Sequence, residues 1–125
     1  MEKINNKKSD TLVIYGGGKS LQNIPSHKFI NFDKITINSV ILAKKPLTHY
    51  ILGETLAFTL FKATTEVVGL REKYKKDYEN MIKVLKEDYK SITIIFIRTY
   101  CEQMTFLNKY LHIIALEFKD RKNIV

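Results

Sequence analysis

Cysteine is almost missing from this 125-residue chain: Cys101 is the only one. No internal disulfide can form, which makes a reducing compartment the default setting. Cys101 sits beside Glu102 with no histidine near it in sequence, so no cysteine–histidine nucleophile pair is evident. Nor do the cysteine and the three histidines have zinc-ligand spacing. Long apolar runs are lacking as well. The best of them, residues 92–97, is far too short to span a bilayer. Residues 1–10 are polar and mixed in charge, without the apolar segment of a secretory signal. Repeats and low-complexity linkers are absent. These absences predict a cytoplasmic protein with a flexible leader over 1–10 and a single domain over 11–125.

What is present is ordinary globular composition, 45% hydrophobic and 27% charged. The net charge is +8, which would suit a polyanion. The charge is spread thinly, however: residues 71–90 hold seven basic and five acidic side chains, a mixed, solvated helix face. Diffuse charge of this kind gives weak, salt-sensitive contact with nucleic acid and no readout, but its field draws in small anions. Neither nucleic acid nor a membrane is expected as a partner.

Glycine is scarce too, five in all, yet three of the five are consecutive. The stretch Thr11-Leu12-Val13-Ile14-Tyr15-Gly16-Gly17-Gly18-Lys19-Ser20-Leu21 is an apolar run that meets three glycines, then a helix-compatible segment. This order predicts a strand, a tight turn and a helix start, where outward N–H groups and the helix dipole favour an anion. Glycine lets a ligand approach the main chain closely. Phosphate is the usual guest.

Further strands are predicted over 34–38, 48–52 and 91–97, the last apolar enough to be buried on both faces. Short helical links fall over 19–24, closed by Pro25, and over 40–45, closed by Pro46. From Glu54 a buried helix runs to a break near Gly69. Tyr74, Tyr78, Met81, Ile82, Leu85 and Tyr89 then mark the core stripe of a second helix. Residues 99–110 read as helical, and 111–118 as a fifth strand. The alternation predicts an α/β fold: a small Rossmann-like open, mostly parallel sheet of four to five strands with helices on both faces.

Two familiar glycine loops fail on spacing. A P-loop ending at Gly18-Lys19-Ser20 would need its first glycine at Val13. The dinucleotide fingerprint is met at Gly16 and Gly18 but fails at Leu21, and its ribose-binding acid would fall near the neutral Asn38. A third pattern fits better: a strand, Gly16-Gly17-Gly18-Lys19-Ser20-Leu21, then Ile37-Asn38-Ser39, then Leu52-Gly53-Glu54. It resembles the Rossmann-like family that contains bacterial sialyltransferases, 6-hydroxymethylpterin diphosphokinase-like proteins and related phage and bacterial proteins, with its G-x-G-P-S-L signature. The resemblance covers about a third of the chain, in its N-terminal half. It implies a nucleotide bound across the carboxyl ends of the first three strands. Lys19 replaces the family's proline, and Glu54 stands where aspartate is commoner. Family enzymes continue into a second glycine-bearing turn, whereas no glycine follows Gly69 here. Nothing matches the sialyltransferase histidine, and His112 lies in an apolar stretch.

The expected ligand residues are Gly16, Gly17, Gly18, Lys19, Ser20, Asn38, Ser39, Gly53, Glu54, Arg98 and Tyr100. Each has a plainer alternative. Lys19 either contacts a phosphate or is a solvated turn residue; Ser20 either meets phosphate or caps the helix. Asn38 either reads a ribose or base edge or closes an Asx-turn. Glu54 suits a helix first turn, and alternatively binds a ribose hydroxyl, a basic ring nitrogen or a metal; it is the one catalytic candidate. Arg98 can pair with phosphate and Tyr100 can stack on a base, or both are simply surface. The reading that results is a protein that senses or sequesters a nucleotide-derived ligand, in the manner of a phage anti-defence sponge, with no cofactor or metal called for. The alternative is a minimal nucleotide-sugar-dependent glycosyltransferase or pyrophosphokinase-like transferase. An open sheet edge further predicts a homo-oligomer.

Overall fold

Short β-branched runs become strands wherever a turn former follows them. The computed structural model describes residues 10–98, 100 and 102–125, and the backbone alone of Ser39 and Val68. Strand β1 (Leu12–Ile14) leads into a 3₁₀ turn (Lys19–Asn23), and β2 (Asp33–Ile37) into a second one (Asn38–Ala43). Then come β3 (His49–Leu52), α1 (Glu54–Thr65), α2 (Val68–Glu87), β4 (Thr93–Phe96), a 3₁₀ turn (Glu102–Met104) and α3 (Leu107–Leu116). The leader up to residue 9, together with Thr99 and Cys101, lies outside the described residues.

The four strands form one open, all-parallel sheet in the order β1-β2-β3-β4. This is the α/β architecture expected from the sequence, in a small Rossmann-like form. The order never reverses. Right-handed crossovers that always step the same way place every connection on one face, and the register shows which. Thr36, Tyr50 and Ile94 lie side by side across β2, β3 and β4. Tyr50 and Ile94, with Leu52, are completely buried in the core that Leu56 and Ala57 of α1, Met81 and Leu85 of α2, and Leu107 and Ile114 of α3 complete. The alternate strand residues (Ile14, Ile35, Ile37, Ile51 and Ile95) belong to the opposite face and to no part of that core. Among the described residues, the helices therefore form one layer instead of covering both faces.

Three local expectations also change. Residues 111–118 are not a fifth strand: Leu107, Leu111, Ile114 and Phe118, spaced by four, three and four, are the buried stripe of α3 and its last turn. Strand β4 is not buried on both sides, since Ile95 is half-buried and Ile97 is exposed. Along its outer edge, among the described residues, run Asn123–Val125, joined by a parallel bridge from Ile124 to Ile94 and three backbone hydrogen bonds. The break between α1 and α2 falls at Glu66–Val67, and Gly69 lies in the first turn of α2. The stripe on α2 holds from its middle onward, with Met81, Ile82, Leu85 and, just past the helix end, Tyr89 in the core and Tyr78 against it. Tyr74 stays outside that core, half-buried beside Lys62. No described helix is long and apolar enough to cross a membrane.

One side chain ties the end of α2 to the sheet. Arg121 donates to the carbonyls of Leu85 (3.1 Å), Ile92 (2.7 Å) and Tyr89, and its Nε donates to Asn123 Oδ1 (2.8 Å). Carbonyls in the last turn of a helix have no partner of their own, and a guanidinium fork serves several at once. Burial lowers the Arg121 pKa below its usual value. Replacing Arg121 with Met should lower the unfolding free energy by roughly 2–3 kcal/mol, the scale of hydrogen bonds to a charged group, read from urea midpoints. Burial also raises the phenol pKa of Tyr50, and of Tyr78 and Tyr89 to about 12, with Glu117 and Asp88 adding to the last two. The unfolded chain ionises these groups first, near 10.0, so the stability they contribute is intact below that pH and lost as pH rises through the folded values. Urea midpoints should fall steadily above about pH 10, and Tyr50→Phe should make that fall shallower.

Candidate ligand-binding site

Strand β1 ends in a pinned residue. The Tyr15 side chain is buried, its N–H donates to the Ile35 carbonyl (3.0 Å), and its carbonyl accepts the buried Thr36 hydroxyl (2.9 Å). From this anchor Gly16, Gly17 and Gly18 run out exposed. Gly18 precedes the 3₁₀ turn, which closes through Leu21 N–H to the Gly18 carbonyl (3.1 Å), with Leu21 buried beneath it. No side chain caps this turn; Ser20 and Lys19 are both exposed.

The fold itself asks little of the three glycines. None has a positive φ. A Cβ on Gly16 would meet nothing within 4 Å, one on Gly17 would lie 3.4 Å from Val40 Cγ2, and one on Gly18 would lie 3.7 Å from Ser20 Oγ. Moreover, the N–H groups of Gly16, Gly17, Gly18, Lys19 and Ser20 have no partner among the described residues.

Opposite the glycines stands the 3₁₀ turn after β2. Asn38 opens it in the left-handed conformation, φ 58°, which Asn tolerates better than most residues. The hydroxyl of the fully buried Tyr50 donates to the Asn38 carbonyl (3.0 Å) and holds it there. Ile41 anchors the turn in the core. Its far end is held by the Lys45 Nζ bond to the Ile24 carbonyl (2.8 Å) and the Tyr89 hydroxyl bond to the Lys45 carbonyl (2.7 Å). Between the two turns is a groove of about 410 Å³, with Gly17, Gly18 and Lys19 on one side and Val40, Leu42 and Ala43 on the other.

Leu42 also lines an adjoining cavity of about 290 Å³. Its floor is Leu56 and Met81, and its polar groups are Asn38, Thr55, Thr59, Asp77 and Asn80. Asp77 forms no ion pair or hydrogen bond with any described residue. The sequence signalled Asn38 here but neither Asp77 nor Asn80. They are polar positions on the middle of a long helix, and only the packing of α2 beside the Asn38–Ala43 turn brings them to the site. Thr55 and Thr59 had a local signal, one helical turn apart directly after Gly53-Glu54.

Not every expected residue joins this cleft. Gly53 is buried as the residue before α1, and Glu54 is exposed and lines neither cavity. Arg98 and Tyr100, the latter 89% exposed, leave β4 at the same sheet edge without lining either one. The side chain of Ser39 lies outside the described part, and His112 is exposed on α3. A wider depression of about 660 Å³ between the helices is floored by Leu60, Tyr78 and Ile82. Its rim of mixed charge includes the Lys86–Glu117 pair (2.9 Å), a solvated surface. Among the described residues, no cluster of His, Cys, Asp and Glu could hold a metal ion.

Fold and cleft together define an open α/β protein with a ligand-sized opening at the carboxyl edge of β1, β2 and β3. No protein-family model, curated protein or solved structure matches the chain. The cleft is not at a topological switch point, because the strand order has none; it is a ledge made by neighbouring strands that end side by side. Replacing Thr36 with Val should cost about 1–2 kcal/mol through the unpaired Tyr15 carbonyl. It should also speed amide exchange at Tyr15, whose N–H is bonded to the Ile35 carbonyl, more than elsewhere, as read by NMR.

Proposed function

We propose that the protein binds a nucleotide or nucleotide-derived phosphorylated small molecule, with its phosphate on the 16–20 turn and its remainder in the adjoining cavity, and that it senses or sequesters this ligand. The observation that carries the reading is a run of five amides without internal partners, three of them on glycines that the fold does not require. Amides of this kind are the usual cradle of a phosphate, and bare glycine keeps the approach open. Lys19 adds a cation at the groove. The cavity beyond supplies an apolar floor with a few polar groups, the general make-up of a small-molecule site. A sugar or base offering hydrogen-bond donors would suit Asp77, which accepts only.

Transfer chemistry on the same ligand is the second reading, in line with the family resemblance. It needs an acid or base beside the reacting atom. Glu54 lines neither cavity, and Asp77 is the only carboxylate that does. Binding without turnover is accordingly favoured.

A nucleotide panel followed by thermal shift, with mass spectrometry of the recovered ligand, separates the two. Ligand returned unchanged supports sequestration, and multiple turnover supports transfer. Gly17→Val should abolish the shift while changing unfolding stability by less than about 1 kcal/mol, because the glycine is exposed and a Cβ there meets, among the described residues, Val40 Cγ2 alone, at 3.4 Å. Lys19→Ala should weaken binding by roughly 1–3 kcal/mol if the ammonium meets phosphate. Full affinity in the Gly17 variant would move the site elsewhere.

A further inference from the structure

Toward the carboxyl ends of its strands, the sheet face turned away from the helices is apolar and exposed. Leu12, Ile14, Ile37 and Ile97 are 51%, 73%, 41% and 48% exposed. Ile35, Ile51 and Ile95 stand half-buried between them, with Ile14 beside Ile35 and Ile37 beside Ile51 beside Ile95. The polar residues of this face, Asp33, His49 and Thr93, are buried toward its amino-terminal end. No Lys or Arg lies on these strand positions, in a chain that has 21 of them.

We propose that a second copy of this chain covers that face, sheet against sheet about a twofold axis. All-parallel sheets are ordinarily covered on both sides, and here the chain's own crossovers cover one. The exposed isoleucines and leucine present about 400 Å² of apolar surface, the size of the largest patch on an ordinary monomer. With a polar rim, such a patch approaches the roughly 800 Å² per partner of a stable interface. Self-association is hard for a chain of charge +8 unless the joining surface is free of cations, and this face is. The helical layer, with the mixed charge of α2, then points outward from both copies. Because one and the same isoleucine patch serves both partners, the contact is isologous, as a twofold axis demands.

Sedimentation velocity of the full chain over a micromolar series tests this. The expected result is a dimer that Ile14→Glu with Ile37→Glu converts to monomer, weakening self-association by about tenfold or more. Far-UV circular dichroism should be unchanged, since both side chains face solvent in the single chain. Should that variant unfold, the methyl resonances of Ile14, Ile37 and Ile97 in the unaltered chain decide, because these must shift with dilution. A chain monomeric throughout the series overturns the proposal. So does a dimer that survives the two glutamates, as pairing along the β1 edge would.

Discussion

As it crosses the sheet the chain never turns back, and most of the architecture depends on that constraint. Each parallel crossover is right-handed for steric reasons. A chain that steps β1, β2, β3, β4 in order must therefore stack its connections on one side. The first two connections are 3₁₀ turns, and only the later ones are helices. The core consequently thickens toward β3 and β4, where α1, α2 and α3 meet over Tyr50, Leu52 and Ile94. Toward β1 the layer thins to Leu21 and Tyr15. The same stepping sets three strand ends side by side, which makes the candidate ledge, and leaves seven apolar side chains facing away from the core.

Tyr50 links the core to that ledge. Its ring is fully buried in the core, and its hydroxyl holds the Asn38 carbonyl in a turn whose first residue is left-handed. A buried hydroxyl without a partner is costly, so Tyr50 and the Asn38 conformation depend on each other. Thr36 plays the matching part at the other wall through the Tyr15 carbonyl. Both walls of the groove are thus positioned by buried hydrogen bonds from β2 and β3. The glycines between them are left without packing duties of their own.

Much of this was legible locally. β-branched runs closed by glycine or asparagine carry a strong local strand signal, and β1, β2 and β3 fall within a residue or two of their expected bounds. The glycine turn and Asn38 were visible for the same reason. What was not legible depends on partners distant in sequence. The run Leu111-His112-Ile113-Ile114 has strand-like composition, but Leu107, Leu111 and Ile114 find α1 beneath them and the helix wins. Strand order carries no local signal, and the strand–helix alternation that suggests a second helical layer is satisfied equally well by a one-way sheet. Asp77 and Asn80 lie about forty residues beyond Asn38, and only a tertiary contact could name them.

The positive charge and the bare face make sense together. A cationic chain attracts phosphorylated ligands from a distance, but the same field opposes contact between copies. The two demands are compatible only if the cations are kept off the surface where copies meet. Here β1 to β4 present no lysine or arginine on the uncovered side, while Lys19 stands at the groove and the cations of α2 lie in the helical layer. Pairing through the isoleucine face would leave the carboxyl edge of each sheet open. Two clefts would then sit in one enlarged positive field, each assembled within its own chain.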